Sequence, residues 1–222
     1  MIHMIHCELD LNMVLSSLKD VRGIIHVGAG DSSELPIYRN YTNNIAMVDA
    51  FEENREHNPD LIVELIFNHM QGKTSFNVMS DTKCSSILDR SRFNTNKYEQ
   101  SLFIVESRTM TPITMDELFF KYRLDPSHYN FLNLDVEGAE GQVLAGMKNT
   151  LKFFDGILLE CSDISRYQLG ASYKQLKGYL TSNGFVEAIS GGIYHDHVGW
   201  HESFFVRPDR YTPPKKVCEK VV

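Results

Sequence analysis

The sequence predicts an α/β fold, a mainly parallel sheet with helices on both faces. Three observations predict it. Apolar runs of strand length alternate with segments of helical period along the chain. Two of those runs pass through a glycine-containing turn straight into a helical pattern, as GIIHVGAGDSS at 23–33 and FLNLDVEGAE at 131–140. No internal repeat or low-complexity linker interrupts the order, so the 222 residues read as a single domain.

The elements follow in order. Residues 9–19 make a short amphipathic helix with Leu11, Val14, Leu15 and Leu18 on one face, within an N-terminal segment 1–20. Residues 23–27 form a strand. A helix is expected over 33–40, with Ser32 or Ser33 as N-cap and Glu34 in its first turn. Strands are expected at 45–51, 60–67 and 74–79, the last two joined by a Gln71-Gly72 turn. Residues 81–100 are polar and serine-rich with no clean period, which suits a loop or a lid over a substrate; 103–109 suits an edge strand. Thr114 with Glu117 three residues on is a capping box for a helix over 115–122. A strand at 129–135, a helix at 140–153 and a buried strand at 156–161 follow. A helix at 172–182 ends at Asn183-Gly184. Antiparallel strands at 185–190 and 203–207 precede a tail, 208–222.

Composition narrows the function. A hydrophobic content of 42% fits a globular protein, and a net charge of −7 with no basic cluster longer than Lys215-Lys216 argues against a nucleic-acid partner. Cys7, Cys84, Cys161 and Cys218 are far apart, without the spacing of a zinc site, and suit a reducing compartment. No apolar run is long enough for a transmembrane helix, and the first 18 residues lack the layout of a signal peptide. The expectation is a soluble, cytoplasmic protein.

Four features carry chemistry. Gly28, Ala29 and Gly30 follow a strand and precede a helix, where small residues let a ligand approach the backbone and the helix start favours an anionic group. The pattern is G-x-G-x-x-S, short of the full dinucleotide fingerprint; without a ligand it is a tight turn. Asp49 lies 21 residues after Gly28 and Glu52 lies 24 after it, the range in which a carboxylate accepts ribose hydroxyls. Asp135, Glu137 and Glu140 crowd three carboxylates into six residues and repel unless a cation, proton or polar ligand is present. Glu140 suits the start of the following helix. Asp135 and Glu160, each at a strand tip, suit holding a divalent metal ion or orienting a substrate hydroxyl. His195, His197 and His201, near the single tryptophan Trp200, are candidate bases at neutral pH. Trp200 suits stacking on a sugar face as well as filling core.

These residues together resemble the FkbM family of S-adenosylmethionine-dependent methyltransferases. GIIHVGAGDSSELPIY is similar to the family's first motif and MVDAFEEN to its second. GKTSFNVMSDTKCSSIL resembles its G-x-x-x-F-x-V segment and paired serines, TPITMDEL its threonine-leucine-aspartate segment, and FLNLDVEGAEGQVLAGM its D-x-E-G-x-E signature. His26 departs from a frequent aspartate, and Asp31-Ser32 stands near the usual second glycine.

The resemblance implies a class I methyltransferase, Rossmann-like sheet of seven mainly parallel strands. It implies S-adenosylmethionine as cofactor and O-methylation of a sugar, such as a deoxyhexose like rhamnose on a glycan. Gly28, Ala29 and Gly30 would meet the methionine part, Asp49 the ribose, and Asn68 or His69 the adenine, with His26, Asp31, Ala50, Glu52 and Asp135 completing the cofactor site. The hydroxyl proton would pass to Asp135, Glu160 or a histidine, His195 or His201 among them, or Mg²⁺ held by Asp135 and Glu160 would lower the hydroxyl pKa. The domain fits an independent enzyme or one part of a larger glycan-building protein. An NAD-dependent Rossmann oxidoreductase, which would want a Tyr-x-x-x-Lys pair in its site, and a non-catalytic glycan-binding domain are the competing readings.

Overall fold

A computed structural model describes residues 5–6, 9–68, 72–91, 100–191 and 199–214. The strands are β1 (Ile5–His6), β2 (Ile24–Val27), β3 (Ile45–Asp49), β4 (Ile62–Val63), β5 (Thr74–Met79), β6 (Ile104–Met110), β7 (Phe131–Leu134), β8 (Gly156–Cys161), β9 (Val186–Ser190) and β10 (His201–Val206). Among the described residues one sheet runs β1-β9-β10-β8-β7-β2-β3-β4. Leaving aside the two-residue β1, it is a seven-stranded sheet in which only β10 runs against the rest. The chain builds outward from β2 in one direction and from β7 in the other. Such a reversal opens a crevice at the carboxyl ends of the two strands, and here those ends carry Gly28 and Asp135.

Strand composition follows from burial on both faces. Ile24, Ile25, His26 and Val27 of β2 are all 3% exposed or less. Alternate residues sort into two cores. Ile25, Val27, Leu132, Leu134, Ile157 and Leu159 pack with helices α3 (Met115–Lys121), α4 (Glu140–Ala145) and α5 (Tyr173–Ser182). Ile24, Phe131, Leu158 and Phe204 pack with α1 (Leu11–Ser16) and α2 (Leu35–Tyr38), through Val14, Leu15 and Tyr38. The α3 capping box forms as expected: Thr114 Oγ1 accepts the Glu117 N–H at 3.1 Å and Glu117 Oε2 accepts the Thr114 N–H at 2.7 Å.

Several expectations are corrected. Residues 74–79 and 103–109 do not extend the main sheet; β5 and β6 pair with each other as a separate antiparallel ribbon. The backbone of 65–67 is taken up by Ile113, which accepts from Phe67 N at 2.9 Å and donates to Leu65 O at 2.9 Å. The strand expected over 60–67 therefore shrinks to β4. Helix α2 is one turn rather than eight residues. Ser32 takes φ +59° and its hydroxyl accepts from Asn58 Nδ2 at 3.2 Å, so it does not cap the helix. The helix expected over 140–153 stops at Gly146, where a Cβ would lie 2.8 Å from the Phe67 carbonyl oxygen.

Candidate active site

The turn after β2 is set by its neighbours. Gly28 has φ +83°, and a Cβ there would sit 1.6 Å from the carbonyl oxygen of Asp135. Gly28 is therefore required by the packing of two strand ends, rather than only by ligand approach as the sequence suggested. Gly30, at φ +48°, has nothing within 4 Å of where a Cβ would be. Its N–H donates to Asp49 Oδ2 at 2.8 Å, while Asp49 Oδ1 accepts from Phe51 N at 2.7 Å and Asn54 Nδ2 at 3.2 Å. Burial pushes the Asp49 carboxyl above its usual range, and those donors pull it back.

A cleft of about 890 Å³ opens at these strand ends. His26, Gly28, Ala29, Gly30, Asp31, Asp49, Ala50, Asp135 and Glu160 all line it. Phe51, Leu65, Ile66, Phe76 and Val78 give it an apolar wall, and Thr82 to Ser85 bring part of the expected lid to it. The shape and lining fit a nucleoside cofactor, since small residues and a buried acid face an apolar surface suited to an aromatic base.

The acid centre is larger than the sequence suggested. Asp135, Glu137 and Glu160 each place a carboxylate oxygen so that all three lie within 4.8 Å of one another. Water reaches Asp135 from the cleft, yet protein crowds it, and burial raises its pKa while a hydrogen bond with Glu160 lowers it. Burial first, then Glu137 and Asp135, lift Glu160 well above the usual carboxylate range. Full ionisation of these neighbours would set like charges together, which favours their protonated forms. Arg166 NH1 reaches Glu160 Oε1 at 3.2 Å, and its guanidinium lies 5.5 Å from the Trp200 ring centre.

The turn holding these acids is held tightly. Glu137 has φ +51° and Gly138 φ +93°, with Tyr167 so close that any Cβ on Gly138 would collide with its ring. Glu137 accepts the Tyr167 hydroxyl on its carboxylate and the Ser86 hydroxyl on its carbonyl, the latter at 2.8 Å. Burial pushes Glu137 to about 7. Glu140, 3% exposed, points back and accepts the Val136 and Gly138 N–H groups at 3.2 Å each. Its assignment to the start of α4 is thus refined: it staples the turn, and burial lifts it to about 8.

His26 lies at the cleft floor. Burial lowers its pKa to about 4, so the ring is neutral. Nδ1 is 3.3 Å from the Tyr38 hydroxyl and Nε2 is 3.3 Å from Asn133 Nδ2.

Other expected site residues are not brought here. Glu52 is 78% exposed on its side chain, pairs with Arg55 and stands outside the cleft lining, because the 3₁₀ turn Glu52–Glu56 rotates it outward. Asn68 donates to Gln142 and does not line the cleft. His201 is buried on the opposite face of β10, with Nε2 3.2 Å from Cys161 Sγ and Nδ1 2.8 Å from Gly199 O. Strand alternation explains this: Glu202, not His201, stands opposite Glu160. His69, His195 and His197 lie outside the described residues. A Tyr-x-x-x-Lys pair that sequence reading overlooked, Tyr173 and Lys177 on α5, lies 2.9 Å apart, but both residues are bound to Glu187 of β9 and neither lines the cleft.

Sequence reading missed Arg166, Tyr167, Lys83 and Arg108 as cleft or acid-centre neighbours. The one signal for Arg166 and Tyr167 was that ISRY, 164–167, lies only a few residues past Glu160 and the end of β8.

Strand order and a cleft between a glycine turn and an acidic strand tip define a class I methyltransferase domain. The methyltransferase FkbM domain matches residues 26–187, and the chain belongs to that family. No curated protein matches by sequence. Among solved structures, M. capricolum TrmK in complex with the cofactor product S-adenosyl-homocysteine is similar at 14% identity, over 96% of this chain and 73% of that one, with a TM-score of 0.47. Among the described residues no helix is long and apolar enough to cross a membrane.

Proposed function

We propose that this chain is an S-adenosylmethionine-dependent O-methyltransferase acting on a sugar hydroxyl, a deoxyhexose such as rhamnose on a glycan being the first acceptor to test. The observation that carries the reading is the pair Asp135 and Glu160 at adjacent strand tips, their carboxylate oxygens within 4.8 Å of each other, beside the open Gly30 turn. The cofactor, when bound, supplies a methyl group on a sulfonium centre, already electrophilic. Gly28 to Gly30 and Asp49 would hold its methionine and ribose parts, and Phe51, Leu65 and Ile66 its base.

Asp135 and Glu160 then take the acceptor's proton. With the sulfur–methyl bond broken and S-adenosylhomocysteine as the leaving group, the acceptor's O–H proton would pass to the one carboxylate of the pair that is ionised. Burial raises the basicity of both carboxylates, and repulsion from Glu137 and Asp135 adds to it at Glu160, as a general base requires. Arg166 holds Glu160 in place, and Trp200 beside it offers a flat face for a sugar ring. Alignment of the hydroxyl supplies up to ~7 kcal/mol of barrier reduction.

A divalent cation is the second way to lower the hydroxyl pKa, and three carboxylates are hard oxygen donors suited to Mg²⁺. We favour direct proton transfer because Arg166 already engages Glu160 and Tyr167 engages Glu137. Transfer of labelled methyl groups to a panel of monosaccharides and glycans tests the function. Label on a sugar oxygen supports it; label only on nitrogen acceptors would replace it with a different methyltransferase.

A further inference from the structure

We propose that Glu34 receives the α-ammonium group of the cofactor's amino-acid part. The inference rests on the cofactor reading above and adds a residue to it. Glu34 lines the cleft just past the Gly28–Gly30 turn, with its side chain 36% exposed. Among the described residues its one ion-pair neighbour is His26, whose Nδ1 lies 3.9 Å from Glu34 Oε2. That imidazole is buried and neutral, so it leaves the carboxylate charge uncompensated.

The surrounding charge has the same sign. Burial raises the Glu34 carboxyl, and Asp31 and Asp135 raise it further. Burial first, then Asp135 and Glu34, raise Glu202, which stands opposite Glu160 in the sheet. This end of the cleft thus gathers carboxylates; Lys83, also in the cleft, acts on Asp31 and Asp135 and not on Glu34, and two further basic residues are already committed. Arg108 is bound to Glu53 and Glu106, and Arg166 to Glu160. A small cation with several N–H donors satisfies such a place, and an alkylammonium carries three.

Glu34 is better placed for it than its neighbours. Asp31 is exposed and accepts from Ser33 N at 3.1 Å, closing its own turn. Asp135 shares a hydrogen bond with Glu160. Glu34 is engaged only locally, by Ser33 and its own backbone N–H, and sits beside the glycine turn, where the amino-acid part of the cofactor would lie.

Two ligands separate this contact from every other. S-adenosylhomocysteine carries the ammonium, and 5′-methylthioadenosine shares the nucleoside and sulfur but lacks it. Calorimetry on Glu34→Gln should show at least ~10-fold weaker S-adenosylhomocysteine binding, as for loss of a hydrogen bond to a charged group, with methylthioadenosine affinity unchanged. Glu34→Asp should fall between. Unchanged S-adenosylhomocysteine affinity in Glu34→Gln would overturn the proposal. So would an equal loss for both ligands, which would mean that the turn itself is disturbed. Failure of the unaltered protein to bind S-adenosylhomocysteine would instead remove the cofactor reading, and this contact with it.

Discussion

The backbone of Gly28 and the carbonyl of Asp135 touch so closely that a Cβ at Gly28 would lie 1.6 Å from that oxygen. The cofactor turn and the acidic strand tip are therefore one packed unit. Two residues away, Gly30 faces open space.

Substitutions at the two glycines should separate folding from binding. Gly28→Ala must push apart β2 and β7 and should cost more than ~3 kcal/mol, the scale of a core clash added to backbone strain. Gly30→Ala should fold, losing ~1 kcal/mol for its left-handed conformation. It should bind S-adenosylhomocysteine more weakly because its methyl group projects into the cleft. Thermal melts and titrations check both. A stable Gly28→Ala protein would mean that the strand ends are not packed as described.

Asp49 and Glu52 offer the second contrast. Asp49 gathers the Gly30 and Phe51 N–H groups, so Asp49→Ala should lower the melting temperature and weaken cofactor binding by roughly 1.5–3 kcal/mol. Glu52 is exposed and off the cleft, so Glu52→Ala should change neither. A larger binding loss in Glu52→Ala would make Glu52 the ribose ligand.

What was legible in the sequence was whatever local pattern controls. The strands of the main sheet carry near-continuous apolar runs because both faces are covered, and the Thr114 capping box is a four-residue signal. Ser32 also looked local, but Asn58 claims its hydroxyl from 26 residues away and shortens α2. The β5–β6 ribbon was misplaced because an alternating run does not say which strand it pairs with. In the site, Gly28, Asp49, Asp135 and Glu160 were legible because strand ends position them. Arg166 and Tyr167 were not, because an irregular loop carries them and only tertiary packing turns them toward Glu160 and Glu137. The His201 expectation failed on the parity of β10, which the pattern alone left unset.

Glu140 gives a stability prediction with a definite sign. Burial raises its folded-state pKa from the ordinary 4.5 to about 8, so the folded protein binds this proton more tightly than the unfolded chain. Its contribution to stability is full below pH 4.5, falls as pH rises through that window and is lost above about 8. The loss is on the order of a few kcal/mol. Glu137 and Glu202, each raised to about 7, act in the same direction. Glu140→Gln keeps an acceptor for Val136 and Gly138 and removes the charge. It should melt higher than the unaltered protein at pH 8.5 and flatten the decline between pH 5 and 8. An unchanged slope would show that Glu140 is not buried in the folded state.

The amide variants test the acid pair. Asp135→Asn should lower turnover by at least ~100-fold, as for loss of a general base, with little change in S-adenosylhomocysteine affinity. Glu160→Gln should do the same more weakly. EDTA should leave activity unchanged; loss restored by Mg²⁺ would assign the three carboxylates to a cation instead. Near-normal turnover in both variants would move the reaction centre elsewhere.

The cleft between Gly28 and Asp135 is built for an S-adenosyl cofactor. Calorimetric titration of the unaltered protein tests it most directly. One S-adenosylhomocysteine should bind per chain, more weakly in Gly30→Ala, and NAD should not bind. No binding of S-adenosylhomocysteine, or binding of NAD in its place, would contradict it.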